Sequence, residues 1–408
     1  MASAGRGGTG TNQEAVRRHN LGTLLRHVHR SGELSRAELT SLMRLNRSTI
    51  GGLVTELETL GLTEQARPAT ARRGAGRPSA GVRMTEDGPY VVAVDLGVDR
   101  AVVARVGLGG RVWERAQAAI PHDTEAWQVG ASVATLIRHV VSWAPPHAPL
   151  LGIGIGVPGL VRRNDGLVRQ APNLGWLDVS FGSIVLAALS LDVPVSLGND
   201  ADLGALSEHR RGAAVGVDDL VYLSGNVGVG AGVITGGVRL EGAGGYAGEV
   251  GHLNFEPDGS PCHCGSSGCW ETVVGAHAIA ASIAYPADDV VRLDQALDQL
   301  SSAPRELRPV AGNIGRGIGA VVNAFNPSMV ILGGYFRPLY RLLRSEVQAG
   351  LAERAMAPVL ESVRLALPGL GTDSVLLGAA EMALEPVFED PVASLATAVT
   401  DAHARLAG

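Results

Sequence analysis

Apolar positions in the first sixty residues fall at helical spacing, with two interruptions. From about Gln13 to Arg30, the residues Val16, Leu21, Leu24, Leu25 and Val28 share one side of a helix. Ser31-Gly32 ends that run. Ser35-Arg36-Ala37-Glu38 then has the form of a capping box: the Ser35 hydroxyl caps a helix and Glu38 reaches back to the Ser35 amide. That short helix runs to about Arg44. A turn at Leu45-Asn46 leads into a third helix, about Arg47–Leu60, with Ile50, Leu53, Val54, Leu57 and Leu60 on its buried face and Gly61 placed to stop it. Beyond residue 85 the pattern changes. Apolar runs at Val91–Leu96, Ala101–Val106, Leu151–Val157, Val193–Leu197 and Met329–Leu332 read as strands. Helical stretches fall near Ala126–Trp143, Ala201–Arg210, Leu307–Ala324, Leu339–Ala352 and Ser374–Leu384, and a further helix follows Pro391. A strand, glycine turn, strand unit over Val91–Val106 recurs over Leu220–Gly237. The alternation predicts an α/β body of two lobes on a duplicated plan, with a ligand between them.

Three short helices joined in this way make a helix-turn-helix, with the third helix as reader. Its first turn offers Arg47, Ser48 and Thr49 to a DNA major groove. Gly51 and Gly52 each cost that helix about 1 kcal/mol relative to Ala; close backbone approach to DNA would offset the cost. Ala66–Arg83, rich in Arg, Gly and Pro, reads as a wing with a basic tip. Arg72, Arg73 and Arg77 are its candidates for DNA contact, Arg77 beside Pro78 as in short Arg-rich segments that enter the minor groove. The plainer alternative is a linker with incidental Arg. Charge favours DNA. The whole chain carries −6, yet residues 1–85 hold 13 Arg and 6 Glu with no Asp, a net of +7 that leaves −13 for the rest. A basic head on an acidic body implies an anionic partner for the head alone.

A length of 408 residues allows two or three domains. The divisions expected are a disordered tail at 1–12, a winged helix-turn-helix at 13–85, a first lobe at 86–205 to which helices of about 374–408 return, and a second lobe at 206–373. The opening MASAGRGGTG lacks the apolar core of a signal peptide. No apolar run reaches membrane-spanning length free of glycine and charge, so no membrane insertion is expected. All three cysteines fall in one cluster, which argues for the reducing cytoplasm rather than a disulfide framework.

That cluster lies in Ala247–Glu271, AGEVGHLNFEPDGSPCHCGSSGCWE. His252, Cys262, Cys264 and Cys269 are a full tetrahedral set for zinc, and soft thiolates favour that metal. Gly265 and Gly268 let close-spaced cysteines face one ion. Glu249 and Glu271 flank the set. An imidazole bound to metal through one nitrogen can donate from the other. Such a donor between two carboxylates suits a ligand with several hydroxyls, such as a sugar; the two glutamates serve equally well as supports of the ligands or as solvated charges. Asn199-Asp200 ends a strand and opens a helix. Asn199 can donate and accept as a sugar hydroxyl requires, although an isolated Asn-Asp is more often a turn or a helix cap.

The run A-G-E-x-G-H followed by C-x-C-G-x-x-G-C-x-E resembles the zinc and sugar signature of the ROK family (repressors, open reading frames, kinases). Gly156-Val157-Pro158-Gly159, Ala171-Pro172-Asn173-Leu174-Gly175-Trp176 and Gly198-Asn199-Asp200-Ala201-Asp202 follow the family's order. The head resembles the winged helix of ROK repressors, so the likeness covers about residues 13–385. It implies an actin-like (ribonuclease H-like), two-lobed sugar-kinase fold, usually oligomeric as a homodimer or homotetramer. It implies sugar contacts from Asn199, Asp200, Glu249, His252 and Glu271, and one structural zinc ion on His252, Cys262, Cys264 and Cys269. Asp200 matches the catalytic aspartate of the kinases, which takes the proton of the attacking hydroxyl.

The kinase pattern breaks at two places. The family's D-x-G-G-T reads Asp95-Leu96-Gly97-Val98-Asp99, and its G-T-G-x-G-A-G reads Asn226-Val227-Gly228-Val229-Gly230-Ala231-Gly232. A phosphate needs glycine so that backbone N–H groups can approach, together with a hydroxyl donor. Val98 adds bulk and Asp99 repels the phosphate. The sugar and zinc residues stand while both phosphate contacts fail. The expectation is therefore a cytoplasmic, sugar-responsive regulator, a repressor of carbohydrate-use genes. It would bind operator DNA and a sugar or sugar phosphate without ATP, with Asp200 vestigial or sensing. The rival is a ROK sugar kinase, acting on a hexose or amino sugar, with a DNA-binding head. A third reading makes the body a protein-docking module.

Overall fold

The computed structural model describes residues 13–66, 81–399 and 402. The head begins with α1 (Gln13–Ser31), β1 (Glu33–Ser35), α2 (Arg36–Met43) and α3 (Arg47–Thr59), followed by β2 (Thr63–Gln65) and β3 (Gly81–Met84). The capping box forms: the Ser35 hydroxyl accepts from the Glu38 amide at 3.2 Å, and the Glu38 carboxylate accepts from the Ser35 amide at 2.7 Å. Asn46 caps α3, accepting from the Thr49 amide at 2.8 Å. Between α2 and α3, Arg44 takes a left-handed conformation, φ 53°. β3 pairs antiparallel with β1 on one side and β2 on the other. The tail at 1–12 and the basic run with Arg72, Arg73 and Arg77 lie outside the described residues.

The N-terminal lobe contains β4 (Tyr90–Leu96), β5 (Arg100–Gly107), β6 (Val112–Ala119), α4 (Ala126–Val141) and β7 (Leu150–Val157). A small antiparallel sheet of β8 (Leu160–Val161), β9 (Val168–Ala171) and β10 (Trp176–Val179) follows, then α5 (Phe181–Leu189) and β11 (Val195–Asn199). The helix α6 (Asp200–Arg211) crosses to the C-terminal lobe. That lobe holds β12 (Leu220–Gly225), β13 (Val229–Thr235), β14 (Val238–Arg239), α7 (Glu271–Val274), α8 (Ala276–Ser282), α9 (Leu293–Asp298), α10 (Arg308–Phe325), β15 (Met329–Gly334), α11 (Phe336–Leu342), α12 (Arg344–Arg354), α13 (Ala357–Ser362) and β16 (Arg364–Ala366). The chain then returns through α14 (Ser374–Glu389) and α15 (Pro391–Ala396), and Val399 bridges to Leu150. Among the described residues no helix is long and apolar enough to cross a membrane.

The two five-stranded sheets share one plan. Their orders are β11-β7-β4-β5-β6 and β16-β15-β12-β13-β14, each with three antiparallel strands and two parallel ones. Two helices exchange between them: α6 leaves the first sheet but packs on β12 and β13 of the second, whereas α14 leaves the second and packs on β4 and β7 of the first. The division placed at 205/206 therefore falls inside an unbroken helix. The expected helix Leu339–Ala352 is two helices, broken at Leu343 (φ −129°, ψ 38°). Leu339, Leu343 and Val347 stay buried across the break, so the apolar period carried no sign of it. The strand expected from Val193 begins at Val195, after Pro194, which lacks a ladder N–H. The edge strand β6 alternates between half-buried and exposed and gave no apolar run.

Head and body share one apolar cluster, in which Leu25 and Val28 of α1 meet Leu384, Val387 and Phe388 of α14. A buried polar joint lies beside it. Glu381 of α14, 2% exposed, accepts from His29 Nε2 of α1 at 3.0 Å and from Arg210 Nη1 at 3.2 Å, and it also binds Arg211 Nε. The Gly109 amide donates to His29 Nδ1 at 2.9 Å, which assigns the ring proton to Nε2, the nitrogen that faces Glu381 and Arg211 Nη2. Burial pushes Glu381 up, but His29, Arg211 and Arg210 more than offset it and hold the carboxyl well below its usual range. Burial likewise lowers His29, against the pull of Glu381. Both groups thus contribute stability that is present above their ordinary pKa values and lost as pH falls through them. Glu381→Gln should cost about 3–5 kcal/mol near neutral pH, because it leaves Arg211, largely shielded from solvent, without its carboxylate. Denaturant unfolding at pH 7 should show this loss.

Candidate functional site

Glycine chemistry shapes the metal loop. Gly268 has φ +70°, and a Cβ there would lie 1.6 Å from the Glu256 carbonyl oxygen, so only glycine fits between the cysteines. Trp270 is buried, and its Nε1 donates to the Asn313 carbonyl of α10 at 3.0 Å, anchoring the loop beside Cys269. The donor atoms of His252, Cys262, Cys264 and Cys269 all lie within 4.8 Å of one another. Cys262 Sγ is 3.6 Å from His252 Nδ1, and Cys264 Sγ is 3.6 Å from Cys269 Sγ. A tetrahedral ion bonded at about 2.3 Å to sulfur and 2.0 Å to nitrogen separates its donors by about 3.5–3.8 Å. These four residues are set to hold one metal ion. The Nδ1 side of His252 faces the sulfurs, while Nε2 lies 3.9 Å from Glu249 Oε2. One imidazole thus links the metal set to the cleft.

All five residues proposed for sugar line one cavity of about 210 Å³, open to solvent, between the lobes. Asn199, Asp200, Glu249, His252 and Glu271 are joined there by Gln170 and Asn173. Asn199 is also the cap of α6. Its Oδ1 accepts from the Ala201 and Asp202 amides at 2.8 and 3.2 Å, and its Nδ2 donates to the Gly159 carbonyl at 3.0 Å. One amide hydrogen is left for a ligand. Glu271 Oε2 accepts from the Val229 amide at 2.8 Å, which ties α7 to β13.

Asp200 is 8% exposed, and burial pushes its pKa up to about 6, partly offset by the hydrogen bonds it accepts. Those come from the Ala201 amide at 2.8 Å and from Asn226 Nδ2 at 2.9 Å. Burial, with the charges of Asp200 and Glu271, raises Glu249 to about 7. Burial, then the nearby Asp200, raises Asp95 to about 7. The cleft therefore concentrates acidic groups that bind protons more readily than free carboxylates do.

A second cavity adjoins the first along Val98, Pro158, Asp200, Ser224, Asn226 and Val227. It is lined also by Asp95, Gly97, Asp99 and Gly334. The positions that depart from the kinase pattern meet on this side. Asn226 was evident in the sequence as a missing glycine, but its bond to Asp200 was not. Gln170 carried no signal, whereas Asn173 lay in one of the ordered motifs. In the head, Arg47 and Ser48 are exposed and Thr49 is half-buried. The Ser48 hydroxyl donates to Asn46 Oδ1 at 2.7 Å. Arg44 is a further exposed base at the turn, without an acidic partner among the described residues.

Residues 91–385 match the ROK family, and the chain belongs to it. It is 29% identical over 399 residues to a putative xylose repressor of Caldicellulosiruptor sp. (strain Rt8B.4), covering 93% of this chain and 99% of that one. It is 31% identical to the xylose repressor of Caldicellulosiruptor bescii, covering 88% and 93%. Among solved structures, a ROK family transcriptional regulator described as a homolog of the E. coli MLC protein aligns with a TM-score of 0.71 at 24% identity, over 97% of this chain and 100% of that one. A ROK family glucokinase from Streptomyces griseus, in complex with glucose and AMPPNP, aligns at 0.59 and 26% identity, over 72% and 98%. The body has the two-lobed sugar-kinase fold of this family; the repressors match head and body together. If the cysteine cluster holds one ion, Cys269→Ser should abolish stoichiometric metal in the purified protein, as read by elemental analysis. Cys269 is the buried member of the set, so the variant should also melt lower.

Proposed function

We propose that this protein is a sugar-responsive transcriptional regulator, a repressor of carbohydrate-use genes. One observation carries the reading: Asn199, Asp200, Glu249, His252 and Glu271, spread over 73 positions, gather in one interlobe cavity of a body on which the head is packed. The head, α1–α3 with the β2–β3 hairpin, serves as a winged helix-turn-helix. Its α3 presents Arg47, Ser48 and Thr49 to operator DNA, and Arg72, Arg73 and Arg77 add DNA contacts, Arg77 in the minor groove. Zinc is the ion for a three-thiolate, one-imidazole set. Bound there through Nδ1, it would hold His252 with Nε2 toward the sugar. A two-fold operator calls for at least a dimer. The names of the xylose repressors make D-xylose the first ligand to try. Sugar between the lobes favours a closed body, and the DNA-competent arrangement becomes less populated.

The kinase reading keeps one support: Asp200 stands where a catalytic base would stand, with a pKa of about 6. Against it, Asn226 donates to the same carboxylate. DNA from the protein's own upstream region, titrated in the presence of pentoses, hexoses and amino sugars without ATP, tests the proposal. One sugar should change operator affinity by about 5–150-fold, the usual span of allosteric coupling. Affinity indifferent to every sugar, with sugar-dependent ADP release that Asp200→Asn abolishes, would establish the kinase instead.

Gly51 and Gly52 supply an independent check. A Cβ at either position meets nothing within 4 Å in the protein, so nothing internal demands glycine. Gly52→Ala should therefore stabilise the fold by about 1 kcal/mol and yet weaken operator binding, as read by melting and by fluorescence anisotropy on one sample.

A further inference from the structure

We infer that α6 carries the state of the sugar pocket to the DNA-binding head, through the guanidinium of Arg211 at its far end. The inference rests on the proposed sugar-sensing reading and names the route within it. The two ends of α6 do different work. Its cap Asn199 and first residue Asp200 line the pocket, and its last residues Arg210 and Arg211 enter the polar joint with the head. Twelve residues of helix place those ends about 17 Å apart.

The helix is held without slack along its sides. A Cβ on Gly232 of β13 would lie 2.3 Å from the Ala201 carbonyl oxygen, and one on Gly378 of α14 would lie 2.0 Å from that of Leu203. Glu208, fully buried in its last turn, accepts from the Gly369 and Leu370 amides at 2.9 and 3.0 Å and from the Ser374 hydroxyl at 2.7 Å. Those partners belong to the segment on which the chain recrosses between lobes. A change in lobe angle must therefore move α6 relative to α14, and the shift reaches Arg211.

Arg211 is a three-way fork. Its Nη1 donates to the Gly109 carbonyl at 2.7 Å, its Nη2 to the His29 carbonyl at 3.2 Å, and its Nε to Glu381. It thus joins the last turn of α1, the turn after β5 and the middle of α14. Arg210 reinforces the joint by donating to Glu385 at 2.6 Å, which also accepts from Arg26 of α1 at 2.7 Å. The apolar cluster that α1 shares with α14, which also takes in Leu203 of α6, is the competing route, and it does not involve Arg211.

The test is a double-mutant cycle read by amide hydrogen exchange on the full chain, with no ligand needed. Asn199→Ala removes the cap at the pocket end of α6 and touches nothing in the head. Arg211→Lys keeps a charge beside Glu381, and with it the fold, but lacks the fork; melting curves verify folding. In the wild-type background, Asn199→Ala should speed exchange in the last turn of α1 by about fivefold or more. In the Arg211→Lys background the same change should have less than about a twofold effect. Exchange in α1 that ignores Asn199→Ala, or responds equally in both backgrounds, overturns the relay and assigns coupling to the apolar face. Operator binding that responds to sugar alongside a flat cycle removes the relay alone. A coupled cycle in a protein whose DNA affinity ignores every sugar leaves the relay standing and removes the sensor.

Discussion

The carbonyl oxygens of Ala201 and Leu203 sit where side chains at Gly232 and Gly378 would have to begin. That close approach on both flanks of α6 is the constraint on which the rest depends. The helix starts on one lobe's sheet and rests on the other's, while α14 does the reverse. Interiors packed at this density respond to displacement by shifting whole elements rather than by absorbing it locally. The pocket is built at the start of this crossed pair, and the head is bolted to its far end.

The bolt is ionic as well as apolar. A carboxylate as buried as Glu381 is tolerable only with partners, and two arginines and a histidine supply them. Such a joint contributes less net stability than its short contacts suggest, because desolvation offsets much of the attraction. What it adds is geometry. A guanidinium fork accepts one arrangement of its partners and loses bonds in others, as a joint between two states of a regulator requires.

The site shows how a kinase-like body can be turned to sensing. The metal loop and the pocket share His252, so fixing the ion also fixes the donor offered to a ligand. In the same cavity, Asn226 donates to Asp200 where the kinase pattern has glycine, and Val98 and Asp99 line the adjoining one. The carboxylate that would take a proton from sugar is already engaged, while the residues that would recognise sugar remain in place.

Most of the local structure could be read from the chain alone. The capping box at Ser35, the three head helices, the strand-turn-strand repeat and the metal set at His252, Cys262, Cys264 and Cys269 all depend on neighbours a few residues apart, so spacing encodes them. The gathering of the pocket residues followed from the family resemblance, not from periodicity. Other features were out of reach. The break at Leu343 leaves the apolar period in phase, and β6 is an edge strand with little to bury. Asn226 and Asp200 lie 26 positions apart, and His29 and Glu381 lie 352 apart. Bonds of that span leave no periodic trace, because their geometry exists only once the two lobes and the head are packed. Short-range chemistry was settled by residue type and spacing; which charges are buried together, and which helix joins pocket to head, was decided by the fold.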